Sequence, residues 1–431
     1  MARSSRISHS VKVYRVGGSV RDELLGRGIA DRDWVVVGAT PEILIASGYK
    51  PVGRDFPVFL HPETREEYAL ARTERKHGRG YRGFEFFVSP DVTLDEDLAR
   101  RDLTINAMAR DERGALIDPF GGEADLRAGV LRHVSPAFVE DPLRVLRVAR
   151  FAARFGFAVA PATAALMRKL AASGELALLA PERVWQELAR GLMEGHPSRM
   201  LAVLRDCGAL GRLLPEVDAL FAAPRPATRP ATRPEEVDAG TRMSRALDYA
   251  AARAFPLTVR YAVLADDLGG AESPASIEPK RHGPGVRNVR LAERVSRRLR
   301  TPVECRDAAR LAARWLRAVH RARELRPAAL LDLLTAADAL RRPARLDALL
   351  DACECAVLSL PRAGEDYAAA RIVRAALAVV NRVDAGAIAR AVTDKRRAGA
   401  AERADATGKA IRAARLEALR VWRRTVLPST R

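Results

Sequence analysis

Few stretches of this chain leave as little choice of fold as residues 16–37. There an apolar run ends in Gly17-Gly18, and Asp31-Arg32-Asp33 opens the next apolar run, Trp34-Val35-Val36-Val37. The pattern predicts a strand over 11–16, a glycine turn, a short helix over 20–25 and a second strand beginning at the acidic pair. Strand residues two apart point the same way, so Asp31 and Asp33 share a face. Two close carboxylates repel unless a cation lies between them, and an all-oxygen site suits Mg²⁺. The paired glycines let backbone N–H groups approach an anion at the helix N-terminus, with Arg21 one turn further in. Alone, an Asp-x-Asp reads as a solvated turn and a Gly-Gly as a bend. Their order and closeness read as a triphosphate beside a metal.

Beyond this stretch the chain changes character once. Up to about residue 140 it is mixed α/β, with strand-like runs at 11–16, 33–37, 56–60, 67–71 and 131–134. From 141 onward Ala, Leu and Arg recur at helical spacing almost throughout. The fold expected is an α/β head over 1–140, followed by helices. A helical neck and body would cover 141–225, a proline-rich linker 226–238, a helical domain 239–355 and a helical tail 356–431. The segment 223–234, with its repeated Pro-Ala-Thr-Arg, cannot be helical. A second loosening, rich in Gly and Pro, falls at 269–285. The last helix is expected over 411–426, with Ile411, Ala414, Leu419 and Trp422 on one side and arginines over much of the remainder.

Charge narrows the partner. The 431 residues carry 73 Lys plus Arg against 54 Asp plus Glu, a net charge of +19. Such an excess suits a polyanion, although an arginine-favouring genome gives the same balance. Cys207, Cys305, Cys353 and Cys355 show no zinc spacing, which fits a reduced, cytoplasmic protein. Residues 1–10 are basic and Ser-rich but lead into no signal-type apolar core. No run approaches the roughly 20 apolar residues of a membrane span.

Two further constellations carry chemistry. Arg100-Arg101-Asp102-Leu103-Thr104-Ile105-Asn106 places Arg101 where a guanidinium can clamp a phosphate oxygen. A surface ion pair with Asp102 is the plain alternative. Glu140-Asp141-Pro142-Leu143-Arg144 reads as a helix start, with Asp141 as cap and Pro142 at the first position. Arg144, Arg147 and Arg150 then recur every third residue. Their plain alternative is the solvated basic face of an amphipathic helix.

Together these segments resemble the signature set of class II tRNA nucleotidyltransferases, the CCA-adding enzymes, with bacterial poly(A) polymerases as close relatives. Residues 55–60, 66–76, 133–138 and 181–187 resemble the gamma-proteobacterial type. The likeness is dense over 12–222 and thins afterwards. It implies a nucleotidyltransferase head and template-independent addition of CCA to the tRNA 3′ end from CTP and ATP. Asp31 and Asp33 would hold Mg²⁺, with Glu67 as a brace or third carboxylate. Gly18, Arg21 and Arg101 would meet the triphosphate. Asp141 and Arg144 would read the base, with Arg147 and Arg150 continuing the site. The partners implied are tRNA and the two nucleotides, with no membrane and no stable protein partner.

The base-reading assignment is physically coherent. Cytosine and adenine each offer an amine beside an unprotonated ring nitrogen, which suits Asp141 as acceptor and Arg144 as donor. Uracil and guanine reverse that pattern and leave a charged partner unpaired.

The second half departs from the resemblance. Relatives carry an HD metal-dependent phosphohydrolase domain, whose metal needs several histidines and a His-Asp pair. Here the pair reads Asp266-Asp267, and the other histidine positions fall at Arg242 and near Pro284 and Leu316. Of seven histidines only His282 and His320 lie beyond residue 200. A degenerate HD domain without hydrolase activity is expected. The competing readings are a poly(A) polymerase with the same head, a catalytically idle RNA-binding relative and a phosphohydrolase with a secondary head.

Overall fold

The computed structural model describes residues 11–29, 31–52, 58–76, 84–221, 238–269, 284–360, 366–395 and 400–426. They divide into two compact units, residues 1–213 and 214–431. That division lies well beyond the composition change at 141, because the first helices after the head pack into the same body as its sheet. All but the last residue of the linker expected at 226–238, and most of the loosening at 269–285, lie outside the described residues.

In the first unit the chain runs β1 (Lys12–Val16), α1 (Gly18–Leu24), β2 (Asp33–Val37), α2 (Pro41–Ala46), β3 (Lys50–Val52), β4 (Val58–Leu60) and β5 (Glu67–Leu70). A hairpin of β6 (Arg72–Lys76) and β7 (Phe84–Val88) follows, then α3 (Leu94–Ala99), β8 (Ala109–Arg110), β9 (Leu116–Ile117), α4 (Gly122–Ala128) and β10 (Val130–Leu131). The head sheet has the order β3-β4-β5-β2-β1-β8-β9. Central β2 pairs antiparallel with β1 and parallel with β5. Apolar residues cover both faces: Val16, Val35, Leu98 and Ala109 pack in one cluster, Val36, Leu44, Phe59 and Leu70 in another. Strands this short gain their stability from that burial rather than from propensity.

Helices α5 (Leu143–Phe155), α6 (Pro161–Ala172), α7 (Pro181–Met193), α8 (Pro197–Asp206) and α9 (Ala209–Leu213) complete this unit, with the short β11 (Ala158–Val159) pairing with β10. Proline in the first turn of α6, α7 and α8 costs nothing, because the N–H it lacks would have no helical partner there. The second unit is helical among its described residues. It comprises α10 (Pro215–Asp218), α11 (Ala239–Ala252), α12 (Leu257–Ala265), α13 (Pro284–Arg298), α14 (Val303–His320), α15 (Pro327–Ala336), α16 (Pro343–Leu358), α17 (Ala368–Asn381), α18 (Ala385–Lys395) and α19 (Ala400–Val426). The alanines of α12 and α14 are nearly all buried, which lets helix backbones approach closely. The last helix begins eleven residues earlier than expected from the arginine-rich pattern. Among the described residues no helix is long and apolar enough to cross a membrane.

Candidate active site

The β1–β2 register puts Val16 opposite Asp33. The Gly17-Gly18 turn therefore leaves β1 at the same end of the sheet at which the acidic pair enters β2. Asp33 is the first residue of β2, and Asp31 lies in the segment before it; both are exposed. Desolvation pushes the Asp33 carboxyl above its ordinary range; Arg101 opposes this and the Asp31 carboxylate adds to it. The two carboxylates are thus close enough to interact. Glu67, the first residue of β5, is the register partner of Asp33 on β2, but among the described residues no third His, Cys, Asp or Glu completes a metal-holding group.

Two guanidiniums flank the glycine turn. Gly17 has φ 69°, and a Cβ there would stand 2.7 Å from Arg101 Nη1. The positive φ disfavours a side chain at this position, and one would also displace the Arg101 guanidinium. A Cβ on Gly18 would lie 3.4 Å from Arg21 Nη2. No side chain caps the N-terminus of α1. Arg101 is not paired with Asp102, the plain alternative above. It pairs with Asp97 at 3.2 Å and donates to the Asn106 carbonyl.

Arg21 is only 3 % exposed. It donates through Nε to Asp22 at 2.9 Å and through Nη1 to Asn106 Oδ1 at 2.5 Å. Desolvation lowers its pKa and Asp22 opposes that shift.

The helix expected at Asp141-Pro142 starts at Leu143, one residue later than the proline rule suggests, with Pro142 as N-cap. Asp141 still serves the helix end, because its Oδ1 accepts the Leu143 N–H at 3.0 Å. Its other oxygen lies 3.5 Å from Arg183 of α7. The arginine stripe is not a solvated face. Arg144 is buried and donates to the carbonyls of Ala137 at 3.0 Å and Arg100 at 2.5 Å. Arg147 pairs with Asp102 at 2.7 Å, and Arg150 with Glu187 at 2.7 Å. Burial works to raise the Asp102 carboxyl, yet Arg147 and Asn106 hold it well below the usual carboxylate range.

The second unit holds another acidic pair. Desolvation pushes the Asp266 carboxyl up to about 8, and Asp267 adds to the shift. Asp267 Oδ1 accepts from Asn288 at 3.1 Å and from Arg317 at 3.0 Å. Arg242 and Arg317 both bear on Asp266. A guanidinium thus engages the carboxylate retained from the expected pair.

This geometry has close relatives. The multifunctional CCA protein of Nitrosomonas europaea is 55% identical over 94% of this chain and 98% of its own length. That of Azoarcus sp. is 57% identical over 89% and 93%. The chain belongs to the multifunctional CCA protein family. Within it, residues 13–132 match the Poly A polymerase head domain, and 156–221 the probable RNA and SrmB-binding site of polymerase A. The fold is shared with Bacillus stearothermophilus CCA-adding enzyme in complex with CTP, at 24% identity and TM-score 0.62, covering 97% of this chain and 94% of that one. Thermotoga maritima CCA-adding enzyme complexed with tRNA_CCA shares it at 20% identity and TM-score 0.57, covering 96% and 91%.

Sequence reasoning did not anticipate several partners of the candidate residues. Asp22, Asn106, Arg154 and Arg183 join the network around Arg21 and Asp141. Asn288 and Arg317 complete the second acidic cluster. Apart from the neighbours Arg21 and Asp22, the partners lie far apart in sequence, and no local spacing signals them.

Proposed function

We infer that this chain is a template-independent CTP/ATP:tRNA nucleotidyltransferase that builds or repairs the 3′-terminal CCA. One observation carries the reading. An open carboxylate pair and a glycine turn flanked by two arginines share one sheet end, in a chain alike over nearly its whole length to CCA proteins. In the reaction the RNA 3′-hydroxyl forms a bond to the α-phosphate, and the bond to the outer two phosphates breaks, releasing pyrophosphate. Acting on tRNA, the protein would work in the cytoplasm.

Asp31 and Asp33 suit Mg²⁺, which is usually held by one or two carboxylates and fills its remaining positions with water and substrate phosphate. When bound, that ion supplies activation of the attacking hydroxyl and neutralisation of charge on the leaving group. Arg21 and Arg101 hold the triphosphate against the glycine turn. Asp141 and Arg144 read the base edge. Two backbone carbonyls already orient Arg144, so little ordering is lost when it meets the base. Arg147 and Arg150 support this edge through Asp102 and Glu187.

A poly(A) polymerase is the second reading, because the head matches a model of that description. Incorporation on a tRNA ending before CCA separates the two. CTP alone should add two residues, and CTP with ATP should complete CCA and stop. Runs of A from ATP alone would overturn CCA addition. Arg144→Ala should slow CTP and ATP use and relax rejection of UTP and GTP by about 1–3 kcal/mol. Equal slowing of all four nucleotides would remove Arg144 from base reading.

A further inference from the structure

One face of α5 carries Arg147, Phe151, Arg154 and Phe155, at the spacing of helical neighbours. The Phe151 and Phe155 rings are stacked, 5.9 Å apart and 4° from parallel. The Arg21 guanidinium lies 5.2 Å from one ring centroid and 5.0 Å from the other. A polar path surrounds this contact. Arg147 donates to Asp102, and Asn106 Nδ2 donates to the same carboxylate at 3.0 Å. Arg21 donates to Asn106 and to Asp22, and Arg154 donates to the other Asp22 oxygen at 2.9 Å. The path thus leaves α5 at Arg147 and returns at Arg154, enclosing Arg21.

A buried guanidinium loses its hydration, and the negative faces of two aromatic rings replace part of it. The same rings fix where the guanidinium stands, and Gly18 rests against it. Aliphatic side chains of similar bulk would fill the space without holding the cation's position.

We propose that Phe151 and Phe155 are positioning residues for Arg21. The triphosphate side of the nucleotide site is then set by α5, the helix whose start carries Asp141 and Arg144. This rests on the nucleotidyltransferase reading for the identity of the ligand. The triphosphate is common to CTP and ATP, so weakening its arginine affects both nucleotides alike and leaves base discrimination intact.

Phe155 is the better probe, being only partly buried. Two measurements are made on the full chain: binding of inorganic tripolyphosphate with Mg²⁺ by calorimetry, and KM for CTP and for ATP on tRNA lacking CCA. Phe155→Leu should weaken tripolyphosphate binding and raise both KM values by the same factor, about 3- to 30-fold. Its rejection of UTP and GTP should not change. Phe155→Tyr keeps the ring face and should restore both quantities. If the leucine variant melts well below the parent, Phe155→Met is measured in its place.

Unchanged tripolyphosphate affinity in a folded ring-less variant would overturn the proposal. So would equal weakening by Leu and Tyr, or an effect confined to one nucleotide. A parent protein that adds neither C nor A, yet binds tripolyphosphate in a Phe155-dependent way, would sink the tRNA reading and leave this inference standing. A parent that binds no tripolyphosphate would overturn the inference itself.

Discussion

Two acidic pairs of this chain, Asp31 with Asp33 and Asp266 with Asp267, stand in different surroundings. Asp31 and Asp33 stand exposed at a sheet end, with the guanidiniums of Arg21 and Arg101 set against the glycine turn nearby. Those cations are paired with Asp22 and Asp97. Asp266 and Asp267 lie in a helical unit, where burial favours the neutral form of one and Arg317 binds the other. The neighbouring groups are also driven to their uncharged forms. Burial lowers His320 to about 4 and raises Cys353 and Tyr367.

The largest test of that contrast is removal of the open pair. Asp31→Ala or Asp33→Ala should reduce nucleotide addition to background while tRNA binding persists, since phosphate contacts elsewhere hold the RNA. Either variant retaining appreciable turnover would break the comparison. Filter binding of the same tRNA provides the control.

An intermediate effect should come from His320, which contacts the Tyr367 hydroxyl at 2.6 Å. Its folded pKa of about 4 lies below the unfolded value of about 6.5, so the unfolded chain binds the proton first. Stability from this residue is therefore complete above about pH 6.5 and is lost as pH falls through 4, by about 3 kcal/mol in total. Asp266, with its raised pKa, acts in the opposite sense. The useful quantity is thus the difference between parent and His320→Gln across that range. A difference independent of pH would mean that the histidine is not held neutral.

The smallest effect is expected at the quenched pair. Asp267→Ala removes a partly exposed ion pair and should cost no more than about 1 kcal/mol in denaturant unfolding. Addition of CCA should be unchanged. Neither parent nor variant should hydrolyse a 2′,3′-cyclic nucleotide with nickel or another divalent ion. Hydrolysis that Asp267→Ala abolishes would show that Arg317 yields to a metal.

Much of the head was legible in residue order. The strands at 12–16, 33–37 and 67–70 fall where alternation and glycine punctuation put them, and the turn between the first two is where the paired glycines require it. The short strands β8 and β9 and the β6–β7 hairpin were not legible. Two-residue strands carry no period, and the hairpin's charged first strand does not alternate between apolar and polar. The stripe at Arg144, Arg147 and Arg150 illustrates the limit most clearly. Its spacing equally suits a solvated face, yet each side chain meets a partner from another segment.

What the sequence determined by itself was local: which residues turn, which alternate, where helices start, and which carboxylates and guanidiniums are present at all. Tertiary structure decided which of those charges remain available. Ionisation and pairing depend on burial and on partners tens of residues away, as with Asp102 and Arg147 or Asp267 and Arg317. A sequence records both groups, but only folding brings them to about 3 Å, the distance at which one charge cancels another.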